Sequence, residues 1–143
     1  MLASDAVVTE TIAAYRAAVL ARDVEALLAL YSPRVRVYDL WGPWSADGEH
    51  ARRESVQEWF GTLGAESVHV QAADVRAQLG EDLAVVEAFL RFEARDPAGA
   101  VLRWMTNRLT WVLVPDTADR WRIVHEHISA PIDPGSGTAV LQR

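Results

Sequence analysis

Apolar side chains recur at Val8, Ile12, Tyr15 and Val19, at intervals of four, three and four residues. That spacing predicts an amphipathic helix over residues 4–22 with Tyr15 on its buried stripe. Ser4 suits its N-cap, and Asp23 suits the N-cap of a short second helix over 24–30 that Ser32-Pro33 terminates. The period then falls to two. In VRVYDLW, Val35, Val37, Asp39 and Trp41 alternate with Arg36, Tyr38 and Leu40, which predicts a strand carrying a carboxylate on its apolar face. GPWSADG (42–48) is a turn-rich loop able to cover an opening, and a third helix is predicted over 50–63, with Val56, Trp59, Phe60 and Leu63 as its stripe. Four long strands follow, over 68–79, 83–95, 101–114 and 121–129, separated by hairpin-length connections. Helices first and an antiparallel meander afterwards is the order of an α+β domain.

Composition narrows the function classes. The chain of 143 residues is half hydrophobic, enough for one domain with a real core, expected over 1–131, followed by a loose polar tail over 132–143. A formal net charge of −6 without a basic block argues against nucleic acid and anionic membrane surfaces as partners. The absence of cysteine removes disulfides, thiolate metal sites and a cysteine nucleophile. The N-terminal stretch has no basic segment ahead of an apolar run, and no run reaches membrane-spanning length, so a cytoplasmic protein is expected. Phosphate-loop, nucleophile-elbow and kinase motifs are all missing.

The order of elements and the closing string WRIVHEHISAP resemble the nuclear-transport-factor-2-like superfamily, in particular its SnoaL-like and ketosteroid-isomerase-like members, from about Thr9 to Pro131. The resemblance implies a cone-shaped α+β barrel: a curled antiparallel sheet packed on three helices from the N-terminal half. Ketosteroid isomerases carry a tyrosine on the first helix, an acid eight residues on, and a general-base aspartate at the end of the first strand. Tyr15, Asp23 and Asp39 match those places. That family's second oxyanion-hole acid falls at Asn107 to Thr110, where this chain has no carboxylate. The closing hairpin is also similar to the association domain of calcium/calmodulin-dependent kinase II. Arg108 matches that family's pocket arginine, while its second pocket arginine falls on Ile128.

Asp39 is the sharpest candidate, because burial on an apolar face raises a carboxyl pKa toward the range useful for taking a proton. Tyr15 is the candidate donor to a developing oxyanion. Trp41 and Trp44, flanking the GPW loop, are expected to cap an apolar ligand, and Trp59 joins them as a ligand-contacting aromatic that also suits the core. Arg108, Thr110 and His127 are expected to face the same pocket. That arrangement leaves Leu109, Trp111 and Leu113 on the outer face of the sheet as an apolar stripe for a homodimer. His125 and His127 share a face, but no third ligand is evident, so no metal and no cofactor are expected.

Two readings follow. One is a cofactor-independent acid/base enzyme of isomerase, cyclase or dehydratase type, in which Asp39 removes a proton alpha to a carbonyl of an apolar substrate. The alternative is a non-catalytic ligand-binding or oligomerisation module.

Overall fold

The computed structural model describes residues 3–143. Helix α1 (Asp5–Ala21) ends where Arg22 turns into the left-handed region, φ 51°, its N–H capping the carbonyls of Ala18 and Val19. Asp23 caps α2 (Val24–Leu28), its side chain accepting from the Ala26 N–H at 3.0 Å. Strand β1 (Tyr31–Tyr38) starts four residues earlier than the alternation predicts. Pro33 is accommodated because the β1 pairing is irregular between Tyr31 and Arg36, the kind of site where a strand tolerates proline. A two-residue β2 (Ala46–Asp47) and α3 (Gly48–Gly61) follow. The strands β3 (Ser67–Leu79), β4 (Ala84–Arg95), β5 (Val101–Pro115) and β6 (Trp121–Ser129) lie within a residue of their predicted limits.

The six strands form one open sheet in the order β2-β1-β6-β5-β4-β3. The meander β3 to β6 is antiparallel as expected, whereas β1 runs parallel to β6 with Val37 beside Glu126, making the sheet mixed. A bulge between Ala73 and Arg76, where Asp74 takes φ 49°, bends β3 and helps the sheet curl around α1 and α3. The core fills the inside of that curl, with Val19, Leu27, Val35, Val56, Val86 and Leu113 among its buried members.

The expected facing of β5 is reversed. Leu109, Trp111 and Leu113 are buried against the helices, while Arg108 is exposed and Thr110 half-exposed on the other side. Alternation defines two faces without saying which packs inward, and the wholly apolar face took the core. The homodimer expected from that stripe therefore loses the surface it was argued from. On β6 a second bulge skips Val124 between the pairs Val112–His125 and Leu113–Ile123. Beyond it the parity flips, so Glu126 points inward and His127 outward.

Residues 132–143, expected to be a loose tail, fold back onto the sheet. Ile132 bridges Ala139, Thr106 N–H donates to Leu141 O at 2.7 Å, and the Arg143 guanidinium lies 3.8 Å over the Phe89 ring. The first half of β5 outruns β6 and leaves backbone groups for the tail to pair.

Candidate functional site

Asp39 follows directly on β1 and keeps the inward parity of Val35 and Val37. It lines a cavity of about 240 Å³ walled by Val37, Trp41, Pro43, Ser45, Ala46, Ala51, Glu54, Ser55 and Glu58. The end of β1, the loop after it and the first three turns of α3 thus build the site together. Gly42, at φ 83°, permits the tight loop that swings Trp41 and Pro43 over it. The volume sits just below the roughly 300 Å³ at which drug-sized sites begin, so the cavity suits a small ligand. Its charged lining is anionic: Glu54, paired with His50 at 3.0 Å, and Glu58 stand with Asp39. That arrangement disfavours an anionic ligand.

Asp39 Oδ1 accepts from the N–H of Leu40 at 2.6 Å and more weakly from Trp41 at 3.4 Å. Burial raises its pKa, the negative charge of Glu126 raises it further, and Arg52 and the two backbone N–H groups oppose them without cancelling the rise. Among the described residues Asp39 has no ion-pair partner, and Arg108, expected at the pocket, donates from Nε to Ser129 Oγ at 2.9 Å on the outer face.

Behind the cavity lies a polar cluster in the core. Glu126, with no exposed surface, accepts at Oε1 from the Tyr31 hydroxyl at 2.6 Å and from Trp111 Nε1 at 2.8 Å. Arg52, 3% exposed on α3, donates from Nη2 to the Tyr31 hydroxyl at 3.0 Å and lies 3.2 Å from Glu126 Oε2. The latter contact is close enough for charge attraction but is not aligned as a hydrogen bond, and Arg52 Nε likewise lacks an acceptor. Arg52 also reaches the cavity wall, Nη1 donating to Ser55 Oγ at 3.3 Å. Tyr15 packs edge-on against Trp111, ring centroids 5.5 Å apart. Burial, then the charge of Glu126, pushes the Tyr15 phenol up, so it stays a hydrogen-bond donor. The charge of Asp39 acts on it in the same direction.

The structure therefore brings Asp39 and Trp41 to the cavity and Tyr15 to the cluster behind it. Trp44 stands 98% exposed on the loop, outside the cavity wall, and Trp59 packs on Phe60 and Phe92. Arg108, Thr110 and His127 are not brought there: all three lie on the outer face of β5 and β6, for the parity reasons given above. His125 and His127 flank Tyr38 on that outer face at 5.0 and 5.4 Å, and no cluster of three metal-ligating side chains occurs among the described residues.

Sequence reasoning missed Tyr31, Arg52 and Glu126. Arg52 had a signal, since it lies four residues before Val56 on the buried stripe of α3. Glu126 shares parity with Ile128, a signal that strict alternation counted from Ile123 across the bulge would invert.

Residues 8–133 match a protein-family model described as a SnoaL-like domain. Among solved structures, an NTF2-like protein of unknown function from Pseudomonas putida KT2440 is similar at 19% identity and TM-score 0.85, covering 97% of this chain and 94% of its own. An association domain of the calcium/calmodulin dependent protein kinase II type from Xanthomonas campestris is similar at 17% identity and TM-score 0.73, covering 87% and 85%. A protein from Catenulispora acidiphila in complex with S-DNPA is similar at 14% identity and TM-score 0.73, covering 86% and 90%. These structural likenesses show the fold alone. No curated protein matches the sequence. No helix among the described residues is long and apolar enough to cross a membrane.

Proposed function

The chain belongs to the SnoaL-like family, a fold that carries a pocket for a small molecule, and from that premise we propose that it is a cofactor-independent acid/base enzyme. Asp39 removes a proton alpha to the carbonyl of a small, neutral, apolar compound. The observation that carries this reading is Asp39 itself: an inward carboxylate without an ion-pair partner, lining the cavity, with its pKa raised first by burial. A carboxylate released from an ion pair and poised above its ordinary range is a better proton acceptor than a solvated one. Trp41 and Val37 supply apolar contact for the ligand, and the acidic rim turns away anions. Tyr15, held protonated by burial, stands behind the cavity and is not among its lining residues. Isomerisation, cyclisation and dehydration all begin with the removal of that proton.

The test is to incubate the protein with a panel of small neutral ketones in D₂O and follow loss of the α-proton signal. Catalysed exchange is expected, and Ala51→Trp, which fills the cavity from α3, should abolish it. A protein that binds ketones in this cavity but exchanges none of them would overturn the catalytic reading and leave a binding module.

A further inference from the structure

Ala51, Glu54, Ser55 and Glu58 of α3 line the cavity, at the spacing that puts them on one face of the helix. Ala51 presents a methyl group, the two glutamates present carboxylates, and Ser55 presents a hydroxyl. That hydroxyl is backed by a buried cation: Arg52, 3% exposed, donates from Nη1 to Ser55 Oγ at 3.3 Å. The guanidinium is incompletely compensated, because its contact with Glu126 Oε2 is not aligned as a hydrogen bond and its Nε lacks an acceptor. A hydroxyl oxygen that accepts from a guanidinium has its own O–H polarised, and such an O–H is a stronger donor than an unassisted one. The Ser55 O–H points at the Arg52 carbonyl at 2.8 Å. It can be exchanged for a ligand at little cost, since that carbonyl also belongs to the backbone ladder of α3 and the hydroxyl rotates about Cβ–Oγ.

The other side-chain donors at the wall are worse placed. Ser45 donates to Asp47 Oδ2 at 3.0 Å, and Trp41 carries its indole on a residue 61% exposed. No cationic side chain lines the cavity among the described residues, so negative charge developing on a ligand oxygen meets Asp39, Glu54 and Glu58 without relief except beside Ser55. We infer that the Ser55 hydroxyl receives the ligand's carbonyl oxygen, with Arg52 behind it as a positioning residue that holds and polarises that hydroxyl. This rests on the carbonyl substrate assigned above, and it gives the enolate oxygen a donor in the same cavity as the Asp39 base. As Asp39 takes the α proton, the C–H electron pair forms the new C=C bond and the carbonyl π pair moves to oxygen. Ser55 keeps its own proton and donates a hydrogen bond to that oxygen.

The experiment compares binding of cyclohexanone with that of methylenecyclohexane, which has the same shape and no carbonyl oxygen, by ligand-observed NMR titration. A change of cavity shape acts on both compounds, so the ratio of their affinities reads the oxygen. Ser55→Thr keeps a hydroxyl, and Ser55→Val puts a methyl group of similar size in its place. The affinity of ketone relative to alkene should be roughly 3- to 10-fold lower in Ser55→Val than in Ser55→Thr, the scale of one hydrogen bond. It should fall likewise in Arg52→Met/Glu126→Leu, which deletes the cation together with the carboxylate it faces. Equal ratios in Ser55→Thr and Ser55→Val overturn the proposal; if the branched pair does not fold, an equal ratio in Ser55→Ala and the wild type overturns it instead. An unchanged ratio in the Arg52 double variant overturns the part given to Arg52, and a wild type that binds neither compound overturns the whole. The ratio needs no turnover. Equal ratios beside catalysed α-proton exchange would leave Asp39 as the base without this donor, whereas a lowered ratio with no exchange would defeat the catalytic reading and leave the carbonyl site standing.

Discussion

The Tyr31 hydroxyl and Glu126 Oε1 meet at 2.6 Å in the core although 95 residues separate them in the chain. That contact ties the first strand to the last and gives the Glu126 charge one of its two good donors. It also fixes the hydroxyl where Arg52 can donate to it, so three elements are joined by one polar cluster.

Tyr31→Phe should cost about 1.5–3 kcal/mol of stability, the range for a buried hydrogen bond to a charged group. Tyr38→Phe, on the half-exposed outer face, is the control and should cost far less. Urea unfolding of both variants checks the difference, and equal losses would show that the Tyr31 hydroxyl contributes nothing special.

Arg52→Met leaves Glu126 buried without a counter-charge and should destabilise by about 3–5 kcal/mol. Removing both charges in Arg52→Met/Glu126→Leu should recover most of that loss, because an apolar replacement of a buried pair is often neutral. Chemical denaturation of the single and double variants reads the coupling, and additive losses would contradict it.

Much of the fold was legible because it depends on local signals. The 4-3-4 spacing of Val8, Ile12, Tyr15 and Val19, the Asp23 cap and the hairpin connections each fix an element without reference to distant residues. Asp39 was legible for the same reason, as its parity is set by Val35 and Val37 beside it. The facing of β5 was not, because either alternation makes a sound strand and the choice falls to the helices that cover it. Glu126 was hidden by the bulge at Val124, where one extra residue exchanges the two faces of β6. The Tyr31–Arg52–Glu126 cluster joins three elements, and no local pattern announces such a meeting.

Stability should also report on Asp39. Its folded pKa is raised above the ordinary value, so between the two values the folded state binds more protons than the unfolded chain and stability falls as pH rises. Asparagine retains an acceptor for the Leu40 N–H and carries no charge to bury. Asp39→Asn should therefore melt higher than the wild type at pH 7, and the advantage should vanish as pH falls below the ordinary aspartate value of about 3.9, where both side chains are neutral. Calorimetric scans across that range test it; a variant that melts lower at pH 7 would show that the charged form is held by structure the cavity account lacks.

Trp41 and Trp44 should behave differently despite their closeness in sequence. Trp41 lines the cavity at 61% exposure, whereas Trp44 projects into solvent. Trp41→Ala is expected to weaken ketone binding by roughly 10-fold, the scale of about 1–2 kcal/mol of lost aromatic contact, and Trp44→Ala to leave it unchanged. Titration calorimetry with the best-binding ketone separates them, and the reverse order would place the ligand on the outer side of the loop.

The most direct test of Asp39 as the proton acceptor is α-proton exchange in D₂O with saturating ketone, comparing the wild type with Asp39→Asn. The variant keeps the shape of the side chain and loses the base, so the exchange rate should fall by a factor on the order of 10² to 10⁴ while the ketone dissociation constant changes little. A folded Asp39→Asn variant that exchanges the proton at the wild-type rate would contradict the account.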